Sequence, residues 1–217
     1  GRRRPGRGLI GVNRIRALLL AVALAATPAV ALAQSVLPAV TAADRVLGRA
    51  DAPVTVIEYA SFTCSHCGDW HRTVYPAFKA RFVDTGQVRL ILRDFPTPPV
   101  QVAAEAAAIA RCAAPERFYD VASSLMNGQT ALFQGGSVAD WYASAIAASG
   151  RSEPEIETCV NDPVTLNGIR ASVAGAQGAG VPGTPTFFVN GRMVNDNSLA
   201  GLTAAIQPLV TRSTAGR

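Results

Sequence analysis

Histidine is scarce in this chain: its 217 residues hold two, His66 and His71, beside four cysteines. A closed zinc site takes four ligands. Zinc held by Cys64 and Cys67 would need both histidines, with no ligand to spare. That reading is set aside, and no metal is expected. Apolar runs of membrane-spanning length are also missing: Ala17–Ala26 is short against the roughly 20 residues a spanning helix needs. An excess of positive charge is absent too, despite a formal net charge of +5. Six of the 20 basic residues and none of the 15 acidic ones lie in residues 1–33. Beyond them 14 basic residues face 15 acidic ones, which gives no basis for a nucleic-acid partner.

Residues 1–33 read as a secretory leader. Arg2, Arg3, Arg4, Arg7, Arg14 and Arg16 form a basic start, Ala17–Ala26 an apolar centre, and Ala31-Leu32-Ala33 a small-residue cleavage site. Cleavage after Ala33 would leave Gln34 as the first mature residue. An uncleaved membrane anchor is the alternative. Residues 34–50, rich in Ala and Pro, are expected to wrap the domain as an arm.

The stretch that organises the rest is Val54–Trp70, VTVIEYASFTCSHCGDW. Val54–Ala60 is mostly β-branched or apolar and reads as a buried strand. A short polar turn follows, then Cys64-Ser65-His66-Cys67, then a helical pattern over Gly68–Lys79. A strand therefore feeds a C-x-x-C pair at a helix N-terminus. There, free backbone N–H groups and the helix dipole favour an anion, so the first cysteine is expected as a thiolate. His66 can add a hydrogen bond or positive charge to it. Each unit of pKa depression favours the ionised form by about 1.4 kcal/mol, and a stabilised thiolate makes the corresponding disulfide more oxidising.

Further along, Val88–Asp94 (VRLILRD) reads as a second strand, alternating enough to be partly exposed. A strand–helix–strand order implies a parallel pair. Phe95-Pro96-Thr97-Pro98-Pro99 stops regular structure. Helical patterns then run from Val100 to about Gly178: Gln101–Ala113, Glu116–Met126, Ser137–Ser149 with Ser137 as N-cap, a helix opened by a Ser152/Glu155 capping box, and a weaker one over Asp162–Gln177. Thr186–Asn190 returns to β structure, Asn190-Gly191 signals a hairpin, and Arg192–Val194 starts its partner. Ser198–Val210 reads as the last helix, with Leu199, Leu202, Ile206 and Leu209 inward, and Thr211–Arg217 as a frayed tail.

C-x-H-C after a strand, with Gly-Thr-Pro-Thr-Phe-Phe-Val-Asn-Gly at 183–191 and a long helical stretch between, resembles the DsbA family of thioredoxin-fold disulfide oxidoreductases. The resemblance covers about Asp51–Val210. It implies an α/β thioredoxin fold, residues 51–98 and 180–212, split by a helical insert over 99–179. It implies dithiol–disulfide exchange through Cys64 and Cys67 in the periplasm, with no cofactor. Unfolded or newly exported cysteine-containing proteins would be the substrates, and a DsbB-like, quinone-linked membrane protein would be the reoxidant. Glu58, six residues before Cys64, is an outward strand carboxylate on the bland reading; the resemblance makes it a buried acid that moves protons during exchange. Pro185 can be an ordinary trans proline at a strand start; the resemblance makes it cis and facing the C-x-x-C, with Thr184 pairing to the substrate backbone. Thr184 is a departure, since the best-known DsbA oxidant has Val there and several reductases and isomerases have Thr. The resemblance still implies that the chain introduces disulfides into exported proteins, with a reductase or isomerase of the same fold as the alternative that Thr184 keeps open.

Cys112 and Cys159 belong to no C-x-x-C. In an exported chain with four cysteines, the economical pairing is Cys64–Cys67 and Cys112–Cys159, and the resemblance permits such a second bridge. It would close a loop of about 48 residues, worth about 4 kcal/mol on the chain-entropy account. Two buried thiols or an intermolecular bridge are the alternatives. Beside the enzyme stands one other class, a DsbA-like scaffold that acts as a chaperone or binding module with its cysteines incidental.

Overall fold

In a computed structural model, residues 1–2 and 37–215 are described. The expected leader lies, but for its first two residues, outside them. One sheet carries the strands β1 (Val46–Leu47), β2 (Val54–Ala60), β3 (Val88–Asp94), β4 (Thr186–Val189) and β5 (Arg192–Val194) in the spatial order β1-β3-β2-β4-β5. β2 and β3 run parallel, with Glu58 opposite Leu92, while β1, β4 and β5 pair antiparallel to their neighbours.

β2 and β3 are central strands covered on both faces. Val54, Val56, Val88 and Leu90 join Phe78, Phe82, Phe187, Leu202 and Ile206 on one side. Ile57, Tyr59 and Ile91 join Ala176, Val181 and Phe188 on the other. Each fully buried aliphatic or aromatic side chain stabilises by about 1.5–3 kcal/mol. β3 is not partly exposed as its charges suggested: only Arg89 escapes burial. Arg93 and Asp94 are buried because each is paired. Arg93 donates to Asp44 at 2.8 Å and to the carbonyls of Pro38 and Ala39, and Asp94 accepts from Arg111. The same Arg93 bonds tie the residues before β1 to the sheet, and β1 itself extends it, so the arm contributes an edge strand.

The helix after the C-x-x-C is shorter at its far end than Gly68–Lys79 suggests. α1 (Ser65–Thr73) stops, α2 (Tyr75–Phe78) restarts, and Lys79–Val83 follows as a π-helical turn. Pro76 explains the break: it offers no N–H to the carbonyl four residues back, and its ring crowds that carbonyl.

The insert is α3 (Val100–Cys112), α4 (Phe118–Phe133), α5 (Val138–Ala148), α6 (Glu153–Val160) and α7 (Pro163–Gly178). Ser137 accepts from the Asp140 N–H, Asp162 from the Val164 N–H, and the Ser152/Glu155 capping box forms. α4 runs seven residues past Met126. Asn127-Gly128-Gln129 resembles a turn, but Gly128 is where the Trp141 ring packs, leaving a Cβ there only 2.7 Å from that ring, and Gln129 is buried. Cys112 at the end of α3 and Cys159 on α6 form a disulfide. After the β4–β5 hairpin, whose Asn190 and Gly191 both have positive φ as a tight two-residue turn requires, α8 (Leu199–Ala215) buries Leu202 and Ile206 completely. It runs to Ala215, into the stretch read as a frayed tail. Among the described residues no helix is long and apolar enough to cross a membrane.

Candidate active site

The loop between β2 and α1 is held at nearly every residue. The Cys64 N–H donates to the Ser61 carbonyl at 3.1 Å, and the Ser61 hydroxyl accepts from the Thr97 N–H at 3.1 Å. Thr63 donates from its hydroxyl to the Thr97 carbonyl at 3.0 Å, and Gln129 of α4 donates to the Phe62 carbonyl at 2.7 Å. This bracing sets Cys64 at the N-cap of α1 in an extended conformation and Cys67 in the first turn. Both are free thiols; Cys64 is half-buried and Cys67 has no exposed surface.

Their ionisation is driven apart. Cys64 is lowered to about 5, chiefly by a hydrogen bond from Cys67, against partial burial; the Thr184 side chain and the backbone N–H groups of Cys67 and His66 add to it. Cys67 is pushed far up, first by burial, then by its bond to Cys64 and by the charge of Glu58. One sulfur is thus poised as a thiolate and its neighbour as a thiol that donates to it. His66 itself is exposed, and its backbone N–H is among the groups that lower Cys64.

Facing Cys64 is the loop before β4. The Thr184–Pro185 bond is cis, and the thiol form of Cys64 donates to the Thr184 carbonyl at 3.2 Å. The Thr184 hydroxyl is buried without a partner of its own, so it is the group there that can donate to the thiolate. A second cis bond, Pro98–Pro99, was not expected; it follows the Thr97 that braces the active-site loop.

Glu58 is completely buried in β2, not outward-facing. Its Oε2 lies 3.3 Å from Nε2 of His71, which is also buried. Sequence reasoning weighed His71 only as a zinc ligand and missed this contact. The available signal was its spacing: four residues after Cys67, it shares that residue's face of α1.

The family profile described as Thioredoxin matches residues 40–208. The chain belongs to the thioredoxin family, among its DsbA-like members. Of solved structures, this DsbA-like chain superposes on Wolbachia pipientis α-DsbA1 with a TM-score of 0.69 at 25% identity, covering 85% of this chain and 98% of that one. It superposes on BdbD from Bacillus subtilis with a TM-score of 0.68 at 21% identity, over 78% and 94% of the two chains; that likeness speaks for the fold alone. In sequence it is 29% identical over 165 residues to a Rickettsia typhi protein named "Putative protein-disulfide oxidoreductase RT0103", covering 75% of this chain. It spans 60% of that relative's length.

Proposed function

We propose that this DsbA-like chain is a thiol:disulfide oxidoreductase that introduces disulfides into exported proteins. The observation that carries the reading is the split between Cys64, lowered to about 5, and the buried, neutral Cys67 behind it. In the oxidised protein a substrate thiolate attacks Sγ of Cys64, the accessible sulfur. A substrate–Cys64 bond forms, the Cys64–Cys67 bond breaks, and Cys67 leaves with the electron pair and takes up a proton. A second substrate thiolate then attacks the substrate sulfur of the mixed disulfide. Cys64 leaves as a thiolate that is already stable at neutral pH. The substrate dithiol ends oxidised and Cys64–Cys67 reduced by the same two electrons. The stable Cys64 thiolate released in the second step pulls the overall exchange toward substrate oxidation.

The leader-like residues 1–33 support export to the periplasm, where disulfides persist. Turnover then requires a reoxidant, for which a DsbB-like, quinone-linked membrane protein fits the family. The Thr184 backbone beside Cys64 offers the place for a substrate strand. The test is the equilibrium of Cys64–Cys67 against glutathione. A reduced form favoured in oxidising glutathione mixtures supports the oxidase. A disulfide that resists glutathione reduction moves the reading to a reductase or isomerase, the direction Thr184 leaves open.

A further inference from the structure

Cys67 must gain or lose a proton in every turnover, yet it has no exposed surface, so bulk water cannot serve it directly. Glu58 is near enough for its charge to raise the Cys67 thiol. Glu58 is itself sealed in β2, so a proton resting there still has to leave the core. His71 is the group in contact with it, Nε2 to Oε2 at 3.3 Å. His71 also lines a pocket of about 460 Å³, whose rim includes the exposed Pro76 and Asp84. At the two ends of the Glu58–His71 contact, Glu58 Oε1 and His71 Nδ1 are buried without a partner among the described residues. A relay needs one uncommitted atom at each end, and an imidazole can take a proton on one ring nitrogen while releasing one from the other.

We propose that His71 is the proton-relay residue of this site, carrying protons between Glu58, beneath Cys67, and the pocket behind α1. The inference rests on the oxidoreductase reading above. During substrate oxidation the proton taken by the Cys67 thiolate comes inward by this path. During reoxidation the Cys67 thiol gives it up outward, as its sulfur attacks the mixed disulfide on Cys64. The other titratable groups around His71 do not replace it. Tyr75, its ring 4.9 Å from the imidazole, is pushed up to about 12 by burial and the Glu58 charge and stays neutral. Tyr119, which also feels Glu58, is raised further by burial. Arg72 is committed to Asp69 and the Met126 carbonyl, and Lys79 and Asp84 pair with each other across the pocket.

The experiment follows reoxidation of the reduced protein by glutathione disulfide, with acid quench and alkylation to separate mixed-disulfide formation at Cys64 from its resolution by Cys67. His71→Ala is expected to slow resolution about 100-fold while slowing attack by Cys64 far less. Imidazole, small enough for the pocket, is expected to restore resolution with a pH profile that follows its own basic form. Pyrazole, of the same shape but hardly basic, is expected not to. His71→Gln, which keeps a hydrogen bond to Glu58, is expected to be as slow as His71→Ala. Resolution at the wild-type rate in either variant, equal slowing of both steps, or equal rescue by pyrazole would overturn the relay. Failure of the wild-type protein to form a mixed disulfide at all would instead overturn the oxidoreductase reading.

Discussion

The Cys64 thiol reaches the Thr184 carbonyl at 3.2 Å across a separation of 120 residues. β2, which leads into the Cys64 loop, and β4, which follows Thr184, pair antiparallel through Tyr59 and Thr186, and that register delivers the second loop to the first cysteine. The site is therefore a property of the sheet, and the variants below separate its chemistry from its support.

The first expectation concerns Cys64 alone. Ultraviolet titration of the thiolate in the reduced protein is expected to give a midpoint near 5. Because the backbone N–H of residue 66 survives the substitution, His66→Ala is expected to leave that midpoint close to 5, provided the α1 N-terminus is retained. A midpoint near the ordinary thiol value of about 8.5 would remove the basis for an oxidising disulfide.

A depressed thiol pKa is also a statement about stability. Between about 5 and the ordinary thiol value, Cys64 is ionised in the folded reduced protein and protonated in the unfolded chain. The unfolded state then binds more protons, so the stability of the reduced protein rises with pH across that window and is lost again as pH falls through about 5. The raised Cys67 is neutral in both states over this range and adds nothing. Denaturant titrations of the reduced protein at several pH values check the slope, and Cys64→Ala is expected to flatten it. A slope equal in both proteins would count against the low Cys64 value.

The two cysteines differ in access as well as in charge. With Cys67 sealed, Cys67→Ala leaves a mixed disulfide on Cys64 with nothing to resolve it. This variant is expected to accumulate substrate adducts on non-reducing gels, while Cys64→Ala is expected to accumulate almost none. Equal trapping by both would mean that the roles are shared.

Much of this arrangement is legible in residues that act locally. Val54–Ala60, the C-x-x-C, the Ser152/Glu155 capping box and the Asn190-Gly191 turn declare themselves because each is specified by its own few side chains. What escapes is decided by partners far away. Arg93 and Asp94 make β3 look half-exposed, because the sequence does not display that Asp44 and Arg111 will neutralise them. The helical pattern breaks after Met126 in the sequence, because nothing there displays that Trp141 will pack on Gly128 and that Gln129 will reach the Phe62 carbonyl. His71 is a lone histidine on a helix until the sheet places Glu58 beside it.

The Cys112–Cys159 bridge joins α3 to α6 within the helical insert, away from Cys64 in the sequence and on different elements from the active-site loop. Cys112→Ser with Cys159→Ser is expected to lower stability by up to about 4 kcal/mol, the loop-closure contribution, because the unfolded chain regains that freedom. Reaction at Cys64 is expected to persist, since its bracing comes from Ser61, Thr97 and Gln129, whereas the hydrogen-bond contacts of the bridge sulfurs are to Thr165. The checks are the denaturation midpoint and the rate of exchange with glutathione. A thiol count under denaturing conditions gives the independent control. The fully oxidised wild-type protein is expected to show no alkylatable cysteine, and two would rule the bridge out. An unchanged midpoint in the double variant would mean that the packing of α3 against α6 holds the insert without its covalent link.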